Sequence, residues 1–222
     1  MLTGAKMFVP QMEYELYNKI YPNDIVAVPN EIKGITATRN WILNNVDDHR
    51  VVFVDDDLKK CGYWINKETG GRRFEAITNE ETILSEFEKL FDVIEGLDWK
   101  IWGLKTESSK ISQHDEKPFV FMTYITASCM GIVNDKTIQF DEGYRVKEDY
   151  EIGLRHIEQF GGVLGARHFS WENEHWDKNG GCGDYRTDEI ERDAINKLIK
   201  QYPKYVKSVV RKNSAYCIKL HF

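Results

Sequence analysis

The chain carries only four cysteines among 222 residues, and Cys61, Cys129, Cys182 and Cys217 form no CxxC pair. With no HExxH segment either, this spacing supports neither a zinc module nor a disulfide framework, and a reduced, cytoplasmic setting fits best. Proline is scarce at five residues. No Pro-, Gly- or Ser-rich linker, repeat or low-complexity tract divides the sequence, so a single domain over 1–222 is expected. No window is apolar enough to cross a bilayer, and the amino terminus lacks the basic, apolar and small-residue zones of a signal peptide. Positive charge is in deficit: 30 Lys and Arg against 36 Asp and Glu give a net charge of −6. That balance argues against coating nucleic acid by bulk electrostatics and leaves room for a local basic groove. Phosphate-loop signatures are missing as well, because Gly180-Gly181-Cys182-Gly183 is followed by no GKS or GKT, and no GxGxxG opens an early helix.

What the chain does have is Val51-Val52-Phe53-Val54-Asp55-Asp56-Asp57, an apolar β-type run ending in three carboxylates. A run of this kind reads as a strand buried on both faces. Its terminal acids cannot share that burial without a cation or donors to compensate them. Strand periodicity places Asp55 and Asp57 on one side and Asp56 on the other. A divalent metal held by Asp55 and Asp57 at the carboxyl edge of an open α/β sheet accounts for the pattern, and a solvated turn after a core strand is the alternative.

Around this run the sequence organises as α/β. Asp24 to Val28 is a strand closed by Pro29, and Ala37 to Val46 is a helix with Ile42, Leu43 and Val46 on its apolar face. Strand, helix and acidic strand together form a βαβ unit, which implies parallel pairing and a mostly parallel central sheet. Trp64 to Phe74 reads as a hairpin around Lys67 to Gly71, and a capping box from Thr78 to Glu81 opens a helix to about Ile94. Trp99 to Leu104 and Phe119 to Val133 read as strands, with a polar surface loop from Lys105 to Pro118 between them. Glu148 to Phe160 is a helix ending at Gly161-Gly162, Val163 to Phe169 a late strand, and Thr187 to Tyr202 a helix ahead of a basic tail.

Three further clusters can carry chemistry. Glu148 and Asp149 stand at a helix start, where acids serve as ordinary caps or, facing a cleft, as a general base for an attacking hydroxyl. The stretch from Arg167 to Arg186 contains His168 and His175, either of which could complete a metal sphere or simply be packed, and Arg186, a candidate phosphate clamp. Arg39 and Asn40 lie near the start of the helix before the acidic strand, as scaffold residues or as contacts to a nucleotide.

Taken in order, Pro29-x4-GITATRNWIL, VVFVDDDL, Lys147-Glu148-Asp149-Tyr150 and then Gly-Gly with Arg186 resemble a glycosyltransferase of the GT-A type, and more closely the TET-associated glycosyltransferase family known from phages. The resemblance covers about Ala5 to Tyr205. It implies a single GT-A-like domain in which 1–60 form the nucleotide-binding part and 61–222 the acceptor side. It also implies a nucleotide-diphosphate sugar donor, by expectation a UDP-sugar, with Mn²⁺ or Mg²⁺ on Asp55 and Asp57; of the two candidate histidines, His175 is the one expected to join them. Arg39, Asn40, Asp55, Asp56 and Arg186 then contact the donor. Asp149, with Glu148 beside it, acts as base in an inverting transfer to hydroxymethylated pyrimidine in DNA. GT-A enzymes normally open with a strand and loop that wrap the uridine, longer than Met1 to Lys6, so a chain beginning earlier or a reduced version of the fold is expected. Lys204, Lys207, Arg211, Lys212 and Lys219, interleaved with Tyr202, Tyr205 and Tyr216, suit a DNA acceptor. A protein or glycan hydroxyl as acceptor, and a non-catalytic module in which the aspartates hold a structural cation, are the competing readings.

Overall fold

The computed structural model describes residues 2, 4–106, 117–173, 187–210 and 216–222. The chain opens with β1 (Met7–Pro10), a 3-10 turn, the short helix α1 (Tyr14–Asn18) and β2 (Ile25–Val28), and the two strands pair in parallel as a small sheet. Helix α2 (Ile35–Asn45) leads to β3 (Arg50–Val54), followed by the antiparallel hairpin of β4 (Leu58–Asn66) and β5 (Arg72–Ala76). Then come α3 (Glu80–Gly96), β6 (Ile101–Thr106), β7 (Phe119–Val120), β8 (Cys129–Val133), α4 (Glu148–Phe160) and β9 (Leu164–Asn173). Helix α5 (Asp188–Gln201) and the hairpin β10 (Val206–Val210) and β11 (Tyr216–Leu220) complete the described chain.

The central sheet runs β3-β8-β6-β9-β4-β5, with β7 beside β9. Only β6 and β9 pair in parallel among the described residues of this sheet, so it is mostly antiparallel and corrects the mostly parallel expectation. The βαβ unit fails at its second strand: β2 pairs with β1, whereas β3 pairs antiparallel with β8. An edge position explains the difference. Arg50, Val51 and Val52 are half-buried and Val54 is 41% exposed, whereas every residue of β8 is buried. The strand covered on both faces is therefore β8, whose Gly131 is required by packing, since a Cβ there would lie 2.2 Å from Cε2 of Trp102.

Strand periodicity sorts the core into two layers. Met130 and Ile132 of β8 join Ile101 beneath α2, α4 and α5, while Cys129 and Val133 join Trp102 against Phe87, Leu90, Phe91 and Ile94 of α3. The α3 cap is one residue later than the expected capping box: Asn79, not Thr78, accepts from the backbone of Glu81 (2.8 Å) and Thr82 (3.4 Å). The long strand expected over Phe119 to Val133 is broken. Only β7 and β8 are extended, and the irregular segment between them buries Ile125 and Ala127. Most of the loop expected between Lys105 and Pro118 lies outside the described residues.

Helix α2 is laced along its length by the segment that runs from β8 to α4. Asn134 Nδ2 donates to the carbonyls of Leu43 (3.1 Å) and Val46 (3.3 Å) at its end, satisfying carbonyls that a helix terminus leaves open. In the middle, Asn40 Nδ2 donates to Phe140 O (3.0 Å) and Asn40 Oδ1 accepts from Phe140 N (2.7 Å). At the start, Thr36 Oγ1 donates to Tyr144 O (3.2 Å). The lacing fixes α2 against the beginning of α4.

Candidate active site

The three aspartates occupy the short connection from β3 to β4. Asp55 still belongs to the ladder, since its N–H donates to Ser128 O at 2.9 Å, whereas Asp56 and Asp57 are exposed beyond it. Burial pushes the Asp55 carboxyl above the ordinary carboxylate range even though 40% of its side chain meets solvent; Arg39 opposes the shift, and the charges of Asp57 and Asp56 add to it.

Arg39 is the residue that gathers the acids. It projects from α2 with a side chain only 4% exposed, and its Nη1 donates to Glu148 Oε1 at 3.0 Å. Its Nη2 donates to Asp55 Oδ1 (3.3 Å) and to Ala127 O (3.2 Å). The guanidinium lies 5.5 Å from the ring centroid of Phe140 and 5.9 Å from that of Phe53, so its faces are apolar and its edges meet acceptors. The end of β3 and the start of α4 thus meet through one buried cation. Asn40 is spent on Phe140 and on Glu142, whose Oε1 accepts from Nδ2 at 3.0 Å. Ahead of Arg39 by one helical turn, an open cleft of about 330 Å³ lies between the start of α2, Lys33 to Ala37, and the side chains of Glu142 and Arg145. Lys33, Arg145 and the amides of the first helical turn favour an anion in this cleft, and the Glu142 carboxylate opposes one.

Glu148 and Asp149 open α4. Glu148 keeps 13% of its side chain exposed, and burial together with the adjacent Asp149 charge raises its pKa against the pull of Arg39. Burial also raises Asp149, opposed first by a hydrogen bond from Tyr124 Oη to Oδ2 at 2.6 Å. A raised carboxyl pKa brings proton exchange nearer to neutral pH, as a general base requires. Lys147, at the helix cap, holds a left-handed backbone with φ 65° and ψ 21°, unusual for a residue with a β-carbon.

His168 stands elsewhere. Its Nδ1 is 3.2 Å from Pro118 O, its Nε2 3.5 Å from Glu86, and its ring packs against Tyr63 and Phe119. His175 and Arg186, expected as metal ligand and phosphate clamp, lie outside the described residues. Among the described residues no group of three or more His, Cys, Asp or Glu side chains is gathered closely enough to hold a metal by itself. Two carboxylates and the phosphates of a bound donor nevertheless make a sufficient oxygen set for a small hard cation.

Sequence reasoning misses Tyr124, and it includes Lys147 in the Lys147 to Tyr150 motif without giving it a role. Tyr124 lies in the irregular stretch read as strand, and no local pattern marks its bond to a residue 25 positions later. A family model described as TET-Associated Glycosyltransferase matches residues 3–181. No curated protein matches the chain.

Proposed function

The chain belongs to the TET-associated glycosyltransferase family and is a glycosyltransferase using a sugar-nucleotide donor; on that premise we propose a metal-dependent, inverting transfer of the sugar to a hydroxymethylated pyrimidine of DNA, on a GT-A-like scaffold. The observation that carries this reading is the bridge through Arg39, which joins Asp55, the first of the aspartates after β3, to Glu148 at the acidic start of α4. Donor chemistry and acceptor chemistry need such adjacency, because bond making and bond breaking occur on opposite sides of one anomeric carbon.

In this reading residues 1–60 supply most of the donor side, Glu142, Arg145 and Arg186 add to it, and the rest of 61–222 forms the acceptor side. The donor, by preference a UDP-sugar, enters the cleft at the start of α2, with Lys33, Asp56 and Arg186 as its contacts. Arg39 and Asn40 serve it as braces, since both are turned into protein contacts. Asp55 and Asp57 would hold Mn²⁺ or Mg²⁺ together with the donor phosphates, and the bound ion would supply positive charge to the leaving diphosphate. Asp149 accepts the proton of the acceptor hydroxyl as its oxygen attacks the anomeric carbon. The bond to the diphosphate oxygen breaks as the new C–O bond forms, with inversion.

Support for a polyanionic acceptor comes from the carboxy-terminal hairpin. Lys207 and Lys219 are directly paired across β10 and β11, and both are exposed. Like charges placed so repel one another, which a phosphate backbone would relieve. A DNA acceptor puts the enzyme in the cytoplasm, that of the host cell if the gene is a phage's. No helix among the described residues is long and apolar enough to cross a membrane. The net charge of −6 favours, as a second reading, a protein or glycan hydroxyl.

The deciding experiment incubates hydroxymethylcytosine- and hydroxymethyluracil-containing DNA with a panel of UDP- and GDP-sugars and Mn²⁺, then analyses the digested nucleosides by mass spectrometry. A hexose-sized mass increment on the modified base supports the reading. Transfer to a glycan or peptide panel with none to DNA would replace it by the second.

A further inference from the structure

We propose that Tyr124 is the positioning residue for Asp149, directing the carboxylate that serves as acceptor-side base. The inference rests on the reading of Asp149 as that base and adds a residue to its machinery.

The geometry leaves the carboxylate little freedom. Tyr124 Oη donates to Oδ2 at 2.6 Å, and the backbone N–H of Tyr150 donates to Oδ1 at 2.9 Å. Each oxygen is thereby tied once and keeps a lone pair for a substrate proton. A bond of 2.6 Å between a phenol and a carboxylate is in the charge-assisted range. Tyr124 is itself held, with its ring stacked on Tyr150 at 4.1 Å between centroids and 21° between planes. Lys147 Nζ lies 5.5 Å from the centroid of the Tyr150 ring and 2.9 Å from Glu191 of α5. Glycine would adopt the left-handed backbone of residue 147 with less strain. A lysine there provides an ammonium that braces Tyr150, and through it the stack.

The charges around Asp149 are mixed. Lys147 beside it and Arg39 from α2 favour its anion, Glu148 opposes it, and among the described residues the carboxy-terminal segment adds the apolar Leu220, at the end of β11, and Phe222 beyond it. Burial and the neighbouring Asp149 hold the Tyr124 phenol well above its ordinary range, so it remains a donor at neutral pH. Tyr124 is therefore the neutral group that fixes the base without competing for its proton.

The test compares wild type, Tyr124→Phe, 3-fluorotyrosine at position 124, and Asp149→Asn. The Asp149 carboxyl is titrated by ¹³C NMR in the protein without substrate. The pH profile of kcat and the donor KM are then measured with hydroxymethylated DNA and whichever sugar nucleotide gives product. Tyr124→Phe keeps the stack and loses the bond, so the Asp149 midpoint and the acid limb of kcat move up by about one pH unit. Turnover at neutral pH falls about tenfold or more, and donor KM stays within about twofold. Fluorotyrosine, a more acidic phenol and a stronger donor, moves the limb the other way, and it decides the matter if the Phe variant does not fold. Unchanged turnover and an unchanged acid limb in both Tyr124 variants, with Asp149→Asn inactive, would overturn the role of Tyr124 while sparing the base. Normal turnover by Asp149→Asn would remove the base and Tyr124's role together.

Discussion

Replacing Arg39 by methionine keeps an apolar stem between Phe53 and Phe140 and removes the guanidinium that Glu148 and Asp55 share. The two acids are not affected equally. Glu148 is 13% exposed and would be left as a nearly buried carboxylate, a situation that costs about 3 kcal/mol or more when one partner of a buried pair is lost. Asp55 is 40% exposed, and solvent screens its loss to under about 1 kcal/mol. A total near 3 kcal/mol at pH 8 corresponds to a fall in Tm of about 6–12 °C for a chain of this size. The pH dependence follows from the direction of the shifts. Both carboxyls titrate above their ordinary values of 3.8 and 4.5, so between the unfolded and folded pKa the native state holds protons that the unfolded chain has released. Stability from these groups is therefore present at low pH and lost as pH rises through the folded values. Removing Arg39 raises the folded values further. The penalty should consequently be largest at the alkaline end of the range and shrink on acidification, as the orphaned acids protonate. Urea unfolding of both proteins at closely spaced pH values measures this. A penalty that is constant with pH, or that grows on acidification, would refute the idea that Arg39 compensates ionised acids.

Three other outcomes follow from the same contacts. Asp57→Asn should abolish transfer yet leave urea stability within about 0.5 kcal/mol, because the residue is exposed; activity at the wild-type rate would remove it from the donor site. Asn40→Ala strips both backbone groups of buried Phe140 of their partners and should cost about 3 kcal/mol by the same assay, with turnover falling alongside. Replacing Lys207 and Lys219 by alanine should lower the slope of log affinity against log salt for long DNA by about two, while transfer to a hydroxymethylated dinucleotide is unchanged; an unaltered slope would make the hairpin an ordinary solvated surface.

The parts legible in the sequence are those whose signal is local. Helix α4 runs from Glu148 to Phe160 and stops at Gly161, whose φ of 87° is the left-handed turn that glycine allows. The apolar spacing of α3 and the Lys67 to Gly71 turn between β4 and β5 are likewise visible residue by residue. Strand direction is not local. Val51 to Val54 have the same composition whether paired in parallel at the centre or antiparallel at an edge, and the strand buried on both faces, Cys129 to Val133, is masked by its glycine and cysteine. The acidic clusters around Asp55 and Asp149 stand out separately in the sequence, but their meeting through Arg39 does not. The basic tail shows its charge in the sequence without showing that it folds back as a hairpin whose Val206 is buried beside Tyr202 and Tyr205. Arg211 and Lys212 of that tail lie outside the described residues.

The bonds that close the site join distant parts of the chain: Asn40 reaches Phe140 across 100 positions and Arg39 reaches Glu148 across 109. Loops of that length close late, after their entropic cost has been met by the strands between them. During synthesis the first sixty residues can therefore emerge with Arg39 and all three aspartates present but without Glu148, the second acid that Arg39 joins. A nascent or truncated chain ending before Glu148 would expose a guanidinium and a carboxylate cluster without the geometry that makes them useful. Chemical competence would arrive in one step, with the docking of α4, which makes the appearance of the Arg39 to Glu148 pair a kinetic marker for completion of the fold.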